Sequence, residues 1–298
     1  GTITASSSGT TFQQIVGASA KNFGTNVAVG TNWTFDNLVF SATSQTITTS
    51  SVGTGSIIVD EVLTIDTGTT LDAGNRTFVL NGSGTPFVKT GTFTANTSTI
   101  SYRNTTSANV AAATYYNLDF SPASGTPTYT AGTATSQTIT VNNNLILNGA
   151  GNETINFDTY DPTTTVTGNV TIGSGDTLVG SASGTFSVAG NWANSGNYTH
   201  SNGTVTMTGG SGKTISSNGT SGKFYNLYLN NAAGDWTVTT TDLNVTNVLT
   251  INAGTLNGGT GRTITLEGIG TPFVKTGTFT ASTGTIDYVG AGSTNITP

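Results

Sequence analysis

Gly84-Thr85-Pro86-Phe87-Val88-Lys89-Thr90-Gly91-Thr92-Phe93-Thr94-Ala95 returns letter for letter from Gly270 to Ala281, 186 residues further along the chain. Internal repetition outranks other fold signals, because a chain built from copies of one unit stacks them. The match widens outward from this core. Arg76-Thr77 and Arg262-Thr263 stand at the same offset, as do Leu63-Thr64-Ile65 and Leu249-Thr250-Ile251. A looser copy lies between, where Trp192 to Thr199 follows the pattern of Phe87 to Thr94, and Gly1 to Ala5 echoes Gly91 to Ala95. A second series keeps step with the first: Phe35-Asp36-Asn37-Leu38, Tyr115-Tyr116-Asn117-Leu118 and Phe224-Tyr225-Asn226-Leu227. ATSQTIT occupies Ala42 to Thr48 and again Ala134 to Thr140, with an insertion near Pro122 to Gly132 separating the two series. The chain reads as a single continuous repeat array over 1–298, with starts at Gly1, Gly91, Gly196 and Gly277 and a drifting period. Gly149 to Asp161 fits no copy.

Only 7% of the 298 residues are charged, 40 are glycine, and roughly a fifth are threonine. Val, Ile, Thr, Phe and Tyr favour pleated, half-buried strands, and Gly and Asn punctuate them at the rhythm of short strands and turns. No stretch sustains apolar spacing at three and four, so the fold class is all-β. The absence of cysteine rules out disulfides. A net charge of −6 and a pI near 4.4 argue against nucleic-acid binding, which needs a basic surface. No apolar run reaches the length of a membrane span. The opening glycine, with no charged-then-apolar leader, is what removal of a signal peptide or tag leaves, and the composition suits an extracellular or cell-surface protein.

Short strands are expected at Thr77–Leu80, Thr99–Tyr102, Thr138–Val141, Leu145–Leu147, Val166–Ile172, Thr263–Leu266 and Thr285–Tyr288, among others. In Thr263-Ile264-Thr265-Leu266 the apolar residues face one way and the threonines the other. Two architectures accommodate such repeats: a parallel β-solenoid (β-helix) of coils of about 20 to 30 residues, or tandem immunoglobulin-like β-sandwiches. Sandwiches call for linkers, and none is visible. A solenoid explains the drifting period, since an extra coil merely lengthens the stack. At ~4.8 Å per coil, 12 to 15 coils make a rod of about 60 to 70 Å.

The series Gly190-Asn191-Trp192 to Thr199, Gly203-Thr204-Val205-Thr206-Met207, Lys213-Thr214-Ile215 and Phe224-Tyr225-Asn226-Leu227 resembles a repeat of very large secreted bacterial proteins, adhesin-like or surface-fibre-like. In those the repeat is associated with β-helical stalks. The resemblance covers most of the chain through degenerate copies; it implies an architecture and names no ligand.

Candidates for chemistry are few. His200 reads as a surface-turn residue, with no partner carboxylate or strained serine to make a triad. Asp60, Glu61 and Asp66, and Asp158 with Asp161, are the nearest approaches to paired carboxylates, but Asp60 and Glu61 point to opposite faces of a strand. Gly173-Ser174-Gly175-Asp176-Thr177-Leu178 is a shortened, solitary version of a calcium-binding glycine-aspartate run, which works in tandem; turn chemistry accounts for it equally. Arg76 with Lys89, and Arg262 with Lys275, read as exposed, snorkelling side chains. Thr-x-Thr pairs are too irregularly spaced for a flat ice-binding array. Phe87, Trp192 and Phe273, with Phe93, Tyr198 and Phe279, are expected in the interior. Asn37, Asn117 and Asn226 are expected to turn corners through positive φ.

The reading is therefore no catalytic, cofactor or metal residue, and a non-enzymatic extracellular stalk or fibre subunit. The chain starts and stops in similar phases of the repeat, so copies of itself are the expected partner, joined head to tail. Surface glycans, bound by an adhesin, are the alternative, and a polysaccharide-active β-helix enzyme the third.

Overall fold

A computed structural model describes residues 11–16, 21–23, 32–49 and 55–296. The repeat start expected at Gly1 lies outside them. The chain is a parallel β-solenoid of about 11 turns. The one helical element among the described residues is a 3-10 turn at Gly219–Gly222. Successive coils are 18 to 27 residues long, from Thr99 paired with Asn117 to Leu118 paired with Leu145. From 33–35 to 278–280 the stack makes eleven rises, about 50 Å of rod at ~4.8 Å per coil.

Each coil gives up to three short strands, and each pairs in parallel with its counterpart in the next coil. One ladder runs unbroken through residues 33–35, 57–59, 78–80, 99–102, 117–120, 145–147, 170–172, 192–194, 213–216, 236–238, 255–257 and 278–280. A second links Ala108–Val110, Thr128–Ala131, Thr154–Asn156, Thr177–Val179 and Asn197–Thr199. A third carries Thr138–Val141, Thr163–Val166, Phe186–Val188 and Thr204–Met207 on to Phe273–Lys275. A four-stranded sheet holds Lys21–Phe23, Gln45–Thr49, Thr69–Asp72 and Thr92–Thr94.

Alternation builds the core. Ile57, Phe78, Ile100, Leu118, Leu145, Val170, Trp192 and Ile215 stack directly above one another along the unbroken ladder, all buried. Ile264 and Leu266 are buried as their pattern requires. Phe87, Phe93, Trp192, Tyr198 and Phe273 lie inside, and Phe279 is half-buried. Thr77–Leu80, Thr99–Tyr102 and Thr263–Leu266 fall where expected. The run expected over Val166–Ile172 instead breaks into Thr163–Val166 and Val170–Ile172, because the chain turns a corner at 167–169.

The corners explain the asparagines. Asn37, Asn117 and Asn226 do not adopt positive φ. Their side chains reach the next coil where the backbone has left its ladder. Asn117 Oδ1 accepts Asn143 Nδ2 at 3.0 Å, and Asn226 Oδ1 accepts Asn247 Nδ2 at 2.8 Å. The same device forms a column: Asn144 Oδ1 accepts the Asn169 N–H, Asn169 Oδ1 the Asn191 N–H, and Asn191 Oδ1 the Thr214 N–H, at 3.1, 2.8 and 2.9 Å. Each satisfies a corner amide that the sheet cannot.

The repeat and the ladders are out of phase. The unbroken ladder passes through Thr77–Leu80, just before the first identical segment, but through Thr278–Thr280, inside the second. The first-copy counterpart of Thr278–Thr280 is Thr92–Thr94, which sits in the separate four-stranded sheet. The repeat starts at Gly91, Gly196 and Gly277 accordingly precede strands of three different stacks. They share a tight corner. A Cβ on Gly91 would stand 2.3 Å from Asp66 O, on Gly196 2.2 Å from Gly173 O, and on Gly277 2.6 Å from Gly254 O. Only glycine lets the corner settle on the carbonyls of the coil beneath.

Candidate functional site

The stretch that fits no repeat copy carries the least ordinary chemistry. Glu153 immediately precedes Thr154–Asn156, and Asp176 precedes Thr177–Val179; Thr154 pairs with Thr177, so the two acids are stacked one coil apart. The Thr177 N–H donates to Glu153 O at 2.8 Å, fixing this corner. Glu153 is 0% exposed and Asp176 1%. The Gly149 N–H donates to Glu153 Oε1 at 2.9 Å. Glu153 Oε2 and both carboxylate oxygens of Asp176 are buried with no hydrogen-bond donor outside the pair, and the two carboxyls lie within hydrogen-bonding reach of each other. Burial pushes both carboxyls above the ordinary carboxylate range, and the Asp176 charge adds to the rise at Glu153.

Two glycines let the backbone pack closely against these oxygens. A Cβ on Gly173 would meet Asp176 Oδ2, Asn148 Oδ1 and Leu147 O at 2.6, 3.0 and 3.0 Å. A Cβ on Gly149 would meet Glu153 Oε2 and Pro122 O, both at 2.8 Å. Asn148 and Asn152 lie exposed on the outer side of this corner. The arrangement offers oxygen donors alone, from carboxylate, amide and carbonyl groups. Among the described residues, no three His, Cys, Asp or Glu side chains converge as a metal cluster. A search for the glycine-aspartate signal finds Asp176 in the sequence but not Glu153, whose role comes from the coil below.

The other candidates resolve into structural contacts. Asp161 has φ 46° and fastens the following coil: Oδ1 accepts Ser181 Oγ at 2.6 Å and the Ala182 N–H at 2.8 Å, while Oδ2 accepts Ser183 Oγ at 2.6 Å. Burial alone would raise its carboxyl, but the hydrogen bonds from Ser181, Ser183 and Ala182 outweigh that and hold it at about 2. Asp158 sits in the adjoining turn. Asp60 Oδ1 accepts Asn81 Nδ2 at 2.7 Å, and Glu61 is exposed.

His200 is half-buried against the Tyr225 ring, with centroids 5.3 Å apart. Its Nδ1 accepts the Asn202 N–H at 3.0 Å, so in the neutral ring the proton is on Nε2, which lies 3.5 Å from Thr246 Oγ1. That polarity is the reverse of a triad histidine, which needs a free Nε2 as base and an acceptor at Nδ1. Burial lowers its pKa, the nearby Lys223 charge lowers it further, and Glu267 pulls the other way. Lys223 Nζ and Glu267 Oε1 form an ion pair at 2.6 Å.

Arg76 corrects the expectation of an exposed, snorkelling side chain: it is 3% exposed, and burial lowers its pKa. Its repeat counterpart Arg262 is only partly covered, donating from Nη1 to Thr240 O at 2.8 Å. Lys89 and Lys275 are partly exposed. An open polar cleft is lined by Asn218, Thr241, Asp242, Asn244, Arg262 and Thr265, beside the 3-10 turn that interrupts the strand stacking.

Fold and corner together define a parallel β-solenoid repeat protein. No family model matches the chain, and no curated protein or solved structure matches it. No helix among the described residues is long and apolar enough to cross a membrane.

Proposed function

We propose that this chain is a non-enzymatic, extracellular structural protein, a β-solenoid stalk or fibre element of the kind its repeat resembles. The observation that carries the reading is the unbroken parallel ladder from 33–35 to 278–280, which makes length and resistance to shear a property of one hydrogen-bonded wall. Corner asparagines add coil-to-coil bonds where that wall has gaps. Immunogold electron microscopy of native material tests it: label along thin rods or fibres outside the cell is the expected result, and label confined to the cytoplasm overturns it.

The finer part of the proposal is head-to-tail assembly. A second copy would extend the parallel ladders by further coils. Sedimentation across a concentration series is expected to show growth beyond 30.1 kDa; a strict monomer at every concentration removes this part. The glycan-binding alternative draws less support, because the repeat-phased aromatics Phe87, Phe93, Trp192, Tyr198 and Phe273 are buried; the open polar cleft is the feature that favours it.

A further inference from the structure

We propose that the corner built by Glu153 and Asp176 binds one hard divalent cation of the calcium class between two successive coils. Three observations converge on it. Two carboxylates from adjacent coils are withdrawn from water within reach of each other, and three of their four oxygens have no donor outside the pair. The ion pairs among the described residues, Lys223 with Glu267 and Arg262 with Asp242, lie elsewhere, so no cationic side chain is paired with this corner. Asp176 Oδ2, Asn148 Oδ1 and Leu147 O crowd around the Cβ position of Gly173, and Glu153 Oε2 and Pro122 O crowd around that of Gly149, so oxygen atoms gather closely at this corner.

Buried carboxylate charge is expensive unless it is paired or coordinates a metal. An all-oxygen donor set of mixed carboxylate, amide and carbonyl type is the preference of calcium; zinc and copper draw on the nitrogen and sulfur ligands missing here. The exposed Asn148 and Asn152 mark the outer face through which an ion and its remaining waters would enter. The solitary Gly173-to-Asp176 run needs no tandem partner on this account, because Glu153 of the preceding coil supplies the second carboxylate. The ion would fasten one coil to the next at the point where the repeat pattern lapses.

The test is equilibrium dialysis of the full chain, stripped with chelator, against Ca2+ up to about 10 mM, above the weakest extracellular calcium modules. Expected are one ion per chain, a melting temperature that rises with Ca2+, and loss of both in Glu153→Gln and Asp176→Asn. Should those variants fail to fold, Asn148→Asp on the exposed rim keeps the proposal open to refutation: a third carboxylate is expected to tighten binding about tenfold. Overturning results are no saturable Ca2+ uptake by the wild-type chain, or uptake that Asp176→Asn and Asn148→Asp leave unchanged. The corner is then a pair of acids bridged by a proton.

Discussion

The two identical segments, Gly84–Ala95 and Gly270–Ala281, fold alike and are used differently. Gly84 and Gly270 both take positive φ, 68° and 72°, and bridge to Ala108 and Thr294. The Phe87–Phe93 rings meet edge to face at 5.4 Å and the Phe273–Phe279 rings at 5.6 Å. The Gly91 and Gly277 N–H groups each donate at 2.9 Å to an isoleucine carbonyl of the coil below, Ile65 and Ile251. Yet the first segment is covered by a following coil, and its last strand lies in the four-stranded sheet; the second leaves Phe279 half-buried and Val274 exposed, on the unbroken ladder. Local sequence therefore specifies corner, bridge and ring pair. The chain between the copies specifies the ladder they join, because it holds a non-integral number of turns.

Substitutions at matched positions sharpen this contrast. Phe93→Ala should cost about 3 kcal/mol, since the Phe93 side chain is buried with Tyr115 against it at 6.3 Å. Phe279→Ala should cost about half as much, because less apolar surface is returned to water. Urea denaturation of both variants measures the difference, and equal losses would break the comparison. Gly91→Ala drives a Cβ toward Asp66 O and Thr69 O, at 2.3 and 2.4 Å, and should cost about 2 kcal/mol. Gly277→Ala, with its nearest contact at 2.6 Å, should cost less in the same assay. The smallest effect is expected at the threonine before each of these glycines. Thr90 Oγ1 donates to Ile65 O at 3.1 Å, whereas Thr276 Oγ1 lies 2.5 Å from Asn252 O as well as 3.3 Å from Ile251 O, so Thr90→Val should lose about 0.5 kcal/mol and Thr276→Val about 1 kcal/mol.

Much of this architecture is legible from residues alone. Exact repetition, alternation as in Thr263–Leu266, and glycines at fixed places before strands point to a stacked array with aromatics inside. Three things are not. Phase is hidden, since identical letters land on different ladders according to the number of turns between them. Corner asparagines look like turn formers, because Gly-Asn before an apolar residue reads as a local bend until the next coil supplies an amide at that height. The Glu153–Asp176 corner is hidden for a related reason. Its halves lie 23 residues apart, one in a stretch outside the repeat, and only the register of Thr154 with Thr177 brings them together. Arg76 and Arg262 show the same limit: one motif, two degrees of burial.

The cysteine-free sequence allows a direct test of the unbroken ladder by spin-label distance measurement. Thr34, Ile58, Val79, Ser101, Asp119, Ile146, Thr171 and Ala193 follow one another along it, one per coil. Labels at Ile58 and Ala193 should lie about 29 Å apart, and labels at Thr34 and Ala193 about 34 Å, with narrow distributions separated by one coil rise of ~4.8 Å. Broad distributions, or distances that do not lengthen by one rise per coil, would mean separate compact units joined by hinges, and would contradict the continuous wall.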